Sequence, residues 1–593
     1  MGMDRDSKDS DGLDLAVVAA VAGGWIEAEA PPETHDMLFT ALDEWSAEPR
    51  RSAARLWLTL LDRLGRDFRF DAVVSACRVA LSLMPSQHCF RFLLARGLFR
   101  VGEVDAALVE LEPVAALTAH NPEQMLLRIE IAAARGEDPE PLLALVEAWL
   151  AANPNWSGQH AALLRGLITL GRSERIGPLL APFLAEPTED MEALVDQARL
   201  ALIGGDPLAA RTRFEPLWSR ADPALDLVVG RFDGRVRPYS AEIEAAILER
   251  IATTPDVADP PDDLGGDEPL PPCRVLLVGF ESSIFPNDVV HHLRESCIAA
   301  GLETHQILDD ALILGCDVRL TDAAIEARIA TFEAEVERLR PELVLIEWCS
   351  PLTSRGLRPD IMARLKQRLG FRLIVSIRDA HAPALACMTG WLEAADTLLV
   401  FHPLSPILTT GDGRFADRVF SGWHAVQPMA PPPPFEGRPI NLSFVGSVFF
   451  TMRNAILSVL LTEDLPFTAI FGDQRAIQLP DMAAYLGFLG QSRATLNISA
   501  HTNSEHLITG RVWEAAALGT LLLEQDNPCT RLFFTPWRHY LPWTTLDDIA
   551  QLCRFVHRNP GVAAEIAGRA RLRAERRYSA KRLWRGLLAH ARR

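Results

Sequence analysis

The chain has 593 residues, enough for about four domains at ~150 residues each. Its 48% hydrophobic and 23% charged content excludes global disorder, and a net charge of −19 disfavours a nucleic-acid partner. Nine scattered Cys, with no pair at CxxC spacing, exclude a zinc knuckle and argue against a disulfide framework, so a reducing, cytoplasmic setting is expected.

Residues 1–50 read as a tail and capping helices. The apolar stretch Leu15 to Ile26 is short and follows Asp4, Asp6, Asp9, Asp11 and Asp14. A secretory signal needs a basic lead-in and a membrane span needs ~20 apolar residues, so neither is expected.

Residues 51–252 carry helical periodicity, with Ala and Leu at i, i+3 and i+4. Gly recurs at 102, 136, 171 and 205, and Pro at 85, 122, 154, 187 and 223. A period of ~34 with two helices per unit is the mark of a tetratricopeptide-like array. The segment Arg96 to Ala106, with Gly102 and Ala106, resembles that family's Gly-x3-Ala core. Each unit buries its apolar face only by stacking, which leaves a groove suited to a protein partner.

Thr253 to Pro272 is Pro- and Asp-rich and reads as a linker, and Gln427 to Pro434 as a second, stiffer break. Between and after them the pattern changes to strand–helix alternation. Continuous apolar runs at Arg274–Gly279, Pro341–Glu347, Phe371–Ser376 and Thr397–Phe401 predict buried parallel strands, with a helix from Val289 to Gly301. The pattern restarts with strands at Asn441–Gly446, Phe467–Phe471, Ala494–Ile498 and Leu521–Leu523. The predicted fold class is therefore α plus α/β: a helical repeat followed by two Rossmann-like doubly wound domains, 273–428 and 436–593. Ligands in such sheets lie beyond the carboxyl ends of the strands.

Gly279-Phe280-Glu281-Ser282 is no dinucleotide fingerprint, and no GxxxxGK[ST] loop occurs. Asp-x-Asp appears only in the N-terminal tail, so a metal has no evident ligands and no cofactor is expected.

The informative segment runs from Thr495-Leu496-Asn497-Ile498-Ser499 through Thr509-Gly510-Arg511-Val512-Trp513-Glu514-Ala515 to Gly519-Thr520. It resembles the nucleotide-binding half of GT-B glycosyltransferases of the CgeB-like group, whose motif runs R-x-F-E-A-x-x-x-G before a strand and an acidic turn. Phe444-Val445-Gly446-Ser447 with Arg453 resembles that family's opening strand and loop, and Phe471-Gly472 the next strand end. Phe534-Thr535-Pro536 and Tyr578 fit its closing stretch. The resemblance covers about Cys273 to Arg593 and implies a nucleotide-sugar donor.

A helix opening near Gly510 aims unpaired N–H groups and partial positive charge at a diphosphate, and Arg511 adds a bidentate-capable cation. Glu514 binds the ribose hydroxyls, as the resemblance implies, although a first-turn acid also simply complements the helix dipole. Arg453 is a candidate second phosphate contact; Gly446, Gly472 and Gly519 complete the candidate donor-binding residues. Many relatives in the wider retaining superfamily carry Glu-x7-Glu, but here the first position is His506, beside Glu505, with Asn503 and Ser504 in the same stretch. The stereochemical outcome therefore stays open. Asp379 and His381, in Arg378-Asp379-Ala380-His381 after a predicted strand, are candidate acceptor-activating bases; Asn287, Asp288 and His291 are further candidates. The Arg-rich run from Arg569 to Arg593 reads as a helix packed on the sheets with a solvated basic face.

The leading reading is a metal-independent glycosyltransferase acting on a protein docked by the repeats, such as a bacterial surface protein modified in the cytoplasm. The alternatives are a noncatalytic repeat scaffold with a degenerate GT-B part, or a sugar-nucleotide epimerase or phosphorylase on the same architecture.

Overall fold

A computed structural model describes residues 15–30, 32–46, 53–66, 70–118, 121–135, 137–138, 140–153, 160, 163, 191–218, 235–255, 268–280, 288–309, 312–313, 322–348, 356–377, 385, 388–409, 413–446, 451–471, 478–499 and 507–593. They fall into two compact units. One comprises 1–152 with 310–335 and 352–358; the other comprises 153–309, 336–351 and 359–593.

In the first unit, helices run from Leu15–Ala28 through His35–Ser46, Ala53–Arg66, Phe70–Leu83, His88–Arg100, Val104–Thr118 and Pro122–Ala134 to Glu140–Ala152. Their apolar stripes close on Leu56, Trp57, Leu60, Cys77, Phe90 and Ala95, with Trp25 edge-on to Trp57 at 6.3 Å. Gly97 lets two helices approach closely, since a Cβ there would lie 3.0 Å from Val74 Cγ2.

The recurrent glycines have a physical counterpart. Gly102 has φ 89°, and Glu103 N–H donates to Leu98 O at 2.9 Å, while Gly102 N–H donates to Phe99 O. This is a Schellman cap, which needs a left-handed residue after the helix. Gly205 (φ 84°) repeats it with Asp206 N–H on Ala201 O, and Glu137 N–H on Ala132 O is the same bond one period after Gly102. The helical stretch predicted over 51–252 does not stay in one unit, for the division falls at 152/153.

In the second unit, helices Met191–Ile203 and Pro207–Phe214 pack Leu194, Val195, Ala198 and Phe214 against Ala455 on the helix Thr451–Leu460. Arg199 donates to Thr451 Oγ1 (3.1 Å), and Arg211 to Thr462 Oγ1 and Glu463 Oε1 (2.8 and 2.9 Å). Those contacts explain why this part of the helical region goes with the α/β unit.

The first sheet contains β1 (Arg274–Gly279), β2 (Glu303–Leu308), β3 (Leu343–Trp348), β4 (Arg372–Ile377), β5 (Thr397–Val400) and β6 (Val419–Ser421), in the order β2-β1-β3-β4-β5-β6. The second contains β7 (Ile440–Gly446), β8 (Phe467–Phe471), β9 (Ser492–Asn497), β10 (Leu521–Gln525) and β11 (Leu541–Trp543), in the order β11-β10-β9-β7-β8. Every pairing is parallel. Counted within each sheet, both follow the doubly wound order 2-1-3-4-5, whose direction reverses between the first and third strands: β1/β3 and β7/β9.

The last helix, Ala580–Ala591, returns to the first sheet. There Trp584, Leu587 and Leu588 share a core with Val275, Leu277, Leu345 and Leu399, and Trp584 Nε1 donates to Ser296 Oγ at 3.0 Å. The basic run is less solvated than its pattern predicts: Arg569 and Arg573 donate to the carbonyls of Arg538 and Phe533, and Arg582 is buried. No helix among the described residues is long and apolar enough to cross a membrane.

Candidate functional site

The segments leaving the carboxyl ends of β1, β3, β4, β7, β8 and β9 begin in 281–287, 349–355, 378–384, 447–450, 472–477 and 500–506, all outside the described residues. Asn287, Asp379, His381, Gly472, Asn503, Ser504, Glu505 and His506 lie in them, and the side chain of Asp288 is likewise outside what is described.

The described residues do bring Arg453 and Arg511 together at one place, the β7/β9 reversal. Arg511 donates through Nη2 to Val445 O at the end of β7 and through Nη1 to Leu496 O on β9 (3.4 Å). Arg453 donates to Ile498 O, just past β9, at 3.2 Å. Both guanidiniums lie over the Phe444 ring, 5.5 and 5.8 Å from its centroid, an arrangement that the ring's negative face favours. Gly446 serves that packing, because a Cβ there would stand 3.0 Å from Phe444 Cζ. Both cations are half-buried, and Arg511 Nε is buried without a hydrogen-bond partner.

The helix Gly510–Leu518 opens at the same edge. Its N-cap is Thr509, in extended conformation, but the Thr509 side chain makes no capping bond. Its hydroxyl donates instead to Asn497 Oδ1 at 3.0 Å; Val512 N–H turns back to Thr509 O at 3.2 Å, so of the two donors that a Thr at this position ordinarily serves, the Arg511 N–H is the one left over. His402, after β5, accepts from Ile508 N–H through Nδ1 at 3.0 Å and pins the approach to the helix.

The other end of this helix is closed by two devices. Gly519 takes φ 58° as its left-handed cap. It thus stands about 13 Å from the first turn, at ~1.5 Å per residue over the 9 residues, and acts as a helix stop rather than a donor contact. Arg438, buried, donates to Leu518 O, Gly519 O, Ser492 O, Pro433 O and Thr520 Oγ1 at 2.9–3.2 Å. Burial, with Arg571 nearby, pushes its guanidinium down to about 10. A cation on these carbonyls complements the helix dipole.

Glu514 does not stand open to a ribose. It is 0% exposed, with the Tyr485 hydroxyl donating to Oε2 at 2.6 Å and His292 Nε2 on Oε1 at 3.0 Å. Both oxygens are engaged within the protein, and a ribose hydroxyl reaches them only if one partner moves. His292 comes from the helix Asp288–Ala299 after β1, so this contact ties the first sheet's layer to the second's. His291 sits edge-on to it at 5.5 Å.

Beneath the site lies Glu524, at the end of β10. Oε2 accepts from Asn497 Nδ2 (2.7 Å), and Oε1 from Thr530 Oγ1 (3.0 Å) and Asn527 Nδ2 (3.3 Å). Burial pushes its carboxyl up to about 7, against the opposing effect of these donors and Arg511.

Arg438, Glu524, His292, Tyr485 and His402 escape a reading of the sequence. Only Glu524 carried a signal, an acid closing the apolar run Leu521-Leu522-Leu523 where the resemblance places an acidic turn. Among the described residues, no group of three or more His, Cys, Asp or Glu is arranged to hold a metal ion.

Residues 462–589 match the family model described as glycosyl transferase-like. The match takes in the Gly510–Leu518 helix, Glu514 and Glu524, and spans about a fifth of the chain. No curated protein matches the sequence. Similar solved structures include Alr3699/HepE of Anabaena in complex with UDP and glucose, at 8% identity and TM-score 0.39, covering 53% of this chain and 98% of that one. Others are the sucrose-phosphate synthase of Thermosynechococcus elongatus (12%, TM-score 0.37, 53% and 98%) and the UDP-GlcNAc 2-epimerase of Neisseria meningitidis bound to UDP-GlcNAc (11%, TM-score 0.33, 53% and 98%). Likenesses this distant carry no inference about chemistry.

Proposed function

We propose that this chain is a glycosyltransferase that binds a nucleotide-sugar at the carboxyl edge of the second sheet. The observation that carries the reading is the convergence of Arg453, Arg511 and an uncapped helix N-terminus on the β7/β9 reversal, beside a segment that matches a glycosyl transferase-like model. Fixed donors aimed at a diphosphate stabilise the charge that develops as the sugar leaves, and they need no reorganisation during the reaction. In this reading the guanidiniums take the role a metal plays elsewhere, and no cofactor is required. Asp379 or His381 deprotonates the acceptor hydroxyl, His506 contacts the donor sugar or phosphate, and the helices of the first unit dock a protein acceptor. The helix caps repeating at the tetratricopeptide-like period support that last element.

One observation favours the noncatalytic alternative: Glu514, assigned to the ribose by resemblance, is closed off by Tyr485 and His292. A thermal-shift panel of nucleotide-sugars including UDP-glucose, followed by assay of nucleoside diphosphate release, separates the two. The proposal requires stabilisation by one of them; saturating binding at ~100 Kd adds ~2.7 kcal/mol. It also requires release that Arg511→Lys and Arg453→Lys reduce at least about tenfold, since an ammonium cannot replace a two-pronged guanidinium. Binding without release supports the scaffold, and no binding across the panel refutes both.

A further inference from the structure

We infer that Glu524 is a positioning residue for the donor site, acting through Asn497 and Thr509 to keep the first turn of the Gly510–Leu518 helix uncapped and open to an anion. The inference rests on the nucleotide-sugar reading above and adds to it how the site is held.

The hydrogen bonds run in one direction. Glu524 is 0% exposed and its Oε2 accepts from Asn497 Nδ2 at 2.7 Å, so the Asn497 amide turns its NH2 group toward the carboxyl. That orientation points Asn497 Oδ1 the other way, where it takes the Thr509 hydroxyl proton. A Thr at an N-cap ordinarily lends its side-chain oxygen to the N–H of the second or third helical residue; here the third, Val512 N–H, takes Thr509 O at 3.2 Å, and the second, Arg511 N–H, is passed over because the side chain is drawn back to Asn497. The second carboxylate oxygen extends the hold. Asn527 Nδ2 meets Oε1 and also donates to Leu507 O at 3.2 Å, while its Oδ1 takes Cys529 N–H at 2.9 Å. Trp543 Nε1 donates to Asn497 O at 3.2 Å and keeps that residue from turning. Both flanks of the stretch between Asn497 and Thr509 are thereby fastened to one carboxylate, beneath the place where Arg511 meets the strand ends.

Two substitutions break the chain at different points. In Glu524→Gln, an amide NH2 faces the donors of Asn497 or Asn527, so one link is lost and the Asn497 amide is free to invert. Thr509→Val removes the hydroxyl at nearly constant volume, so no side chain is left to cap the first turn whatever Glu524 does. Thr509 is half-buried, so this variant remains informative if Glu524→Gln does not fold: a weakening of about tenfold in it would mean that the hydroxyl itself serves the ligand, which overturns the inference.

The test is isothermal titration of the full chain with UDP, GDP and ADP, well below the melting temperature of each variant. The expected result is that wild type binds at least one, that Glu524→Gln weakens it by about tenfold as the released Thr509 hydroxyl turns to the first turn, and that Thr509→Val and the double variant Glu524→Gln/Thr509→Val, which have no hydroxyl to cap it, stay within about threefold; one hydrogen bond corresponds to the larger factor. A purely structural role would lower the melting temperature and leave these dissociation constants alone. Wild-type binding that Glu524→Gln retains, or that Thr509→Val loses, overturns this inference while leaving the donor-site reading intact. Failure of wild type to bind any of the three overturns the donor-site reading, and this inference with it.

Discussion

Replacing Arg438 with Ala removes the cation that closes the helix Gly510–Leu518. The guanidinium is buried and reaches Leu518 O, Gly519 O, Ser492 O, Pro433 O and Thr520 Oγ1. Each acceptor left dry costs about 1–3 kcal/mol, though water entering the vacated space recovers part of it. Thr520 keeps a bond to Leu489 O at 2.9 Å and is not stranded. The dipole contribution of a partly buried cation at a helix end reaches ~2 kcal/mol, and the desolvation that lowers Arg438 to about 10 offsets some of the gain. The net expectation is a loss of about 3–5 kcal/mol, or roughly 5 °C in the melting of a unit this large. Calorimetry of the full chain reads the transition. Hydrogen exchange of the helix amides shows whether the loss is local, with their protection falling before that of β1 and β3. Arg438→Lys should recover part of the loss, because a single ammonium reaches fewer of the acceptors. A decrease below about 1 kcal/mol, with unchanged helix protection, would refute the reasoning, since it would mean that the carbonyls find other partners at no cost.

His292→Ala leaves one oxygen of a fully buried Glu514 without its donor and should cost about 1–3 kcal/mol; faster limited proteolysis between 423 and 434 would show it, and an unchanged rate would not fit. Gly422→Ala places a Cβ 2.5 Å from Leu399 Cδ1 and 3.5 Å from Leu583 Cδ1, so overpacking of about 1–3 kcal/mol should appear in thermal melts. Glu524 provides a pH dependence with a definite sign. Its carboxyl rises from the ordinary 4.5 to about 7 on folding, so the native chain holds a proton that the unfolded chain releases in this window. Its contribution is complete below 4.5 and is lost as pH rises through about 7. Urea melts across that range should show the decline in wild type and a flatter profile in Glu524→Gln.

The central strands were legible because they are buried on both faces. β1, β3, β4, β5, β7, β9 and β10 each coincide with an apolar run to within a residue or two, and so does the edge strand β8, whose Phe467-Thr468-Ala469-Ile470-Phe471 is itself apolar. The strands that escaped, β2, β6 and β11, all lie at sheet edges. Glu303-Thr304-His305-Gln306-Ile307-Leu308 pairs on one side only and has no apolar run to show. Distance in the chain hid most of the site. Arg511 and Glu514 stand one turn apart on one helix, which is readable; that the first would rest on Val445 O and the second on His292 depends on a β7 carbonyl and on a helix of the other sheet. Gly519 shows the opposite error: its spacing from Arg511 is a motif feature, yet its conformation is that of a helix stop.

The return of Ala580–Ala591 to the first sheet means that the polypeptide passes between the two α/β layers twice, once through 423–434 and again near Tyr578. The first layer is therefore not a continuous stretch of chain. A nascent protein emerging from the ribosome cannot seal the hydrophobic face of β1, β3 and β4 until Ala580–Ala591 is free, although those strands were synthesised about two to three hundred residues earlier. A stop codon ahead of Ala580 would leave that face bare, and its damage would fall on a sheet made long before it.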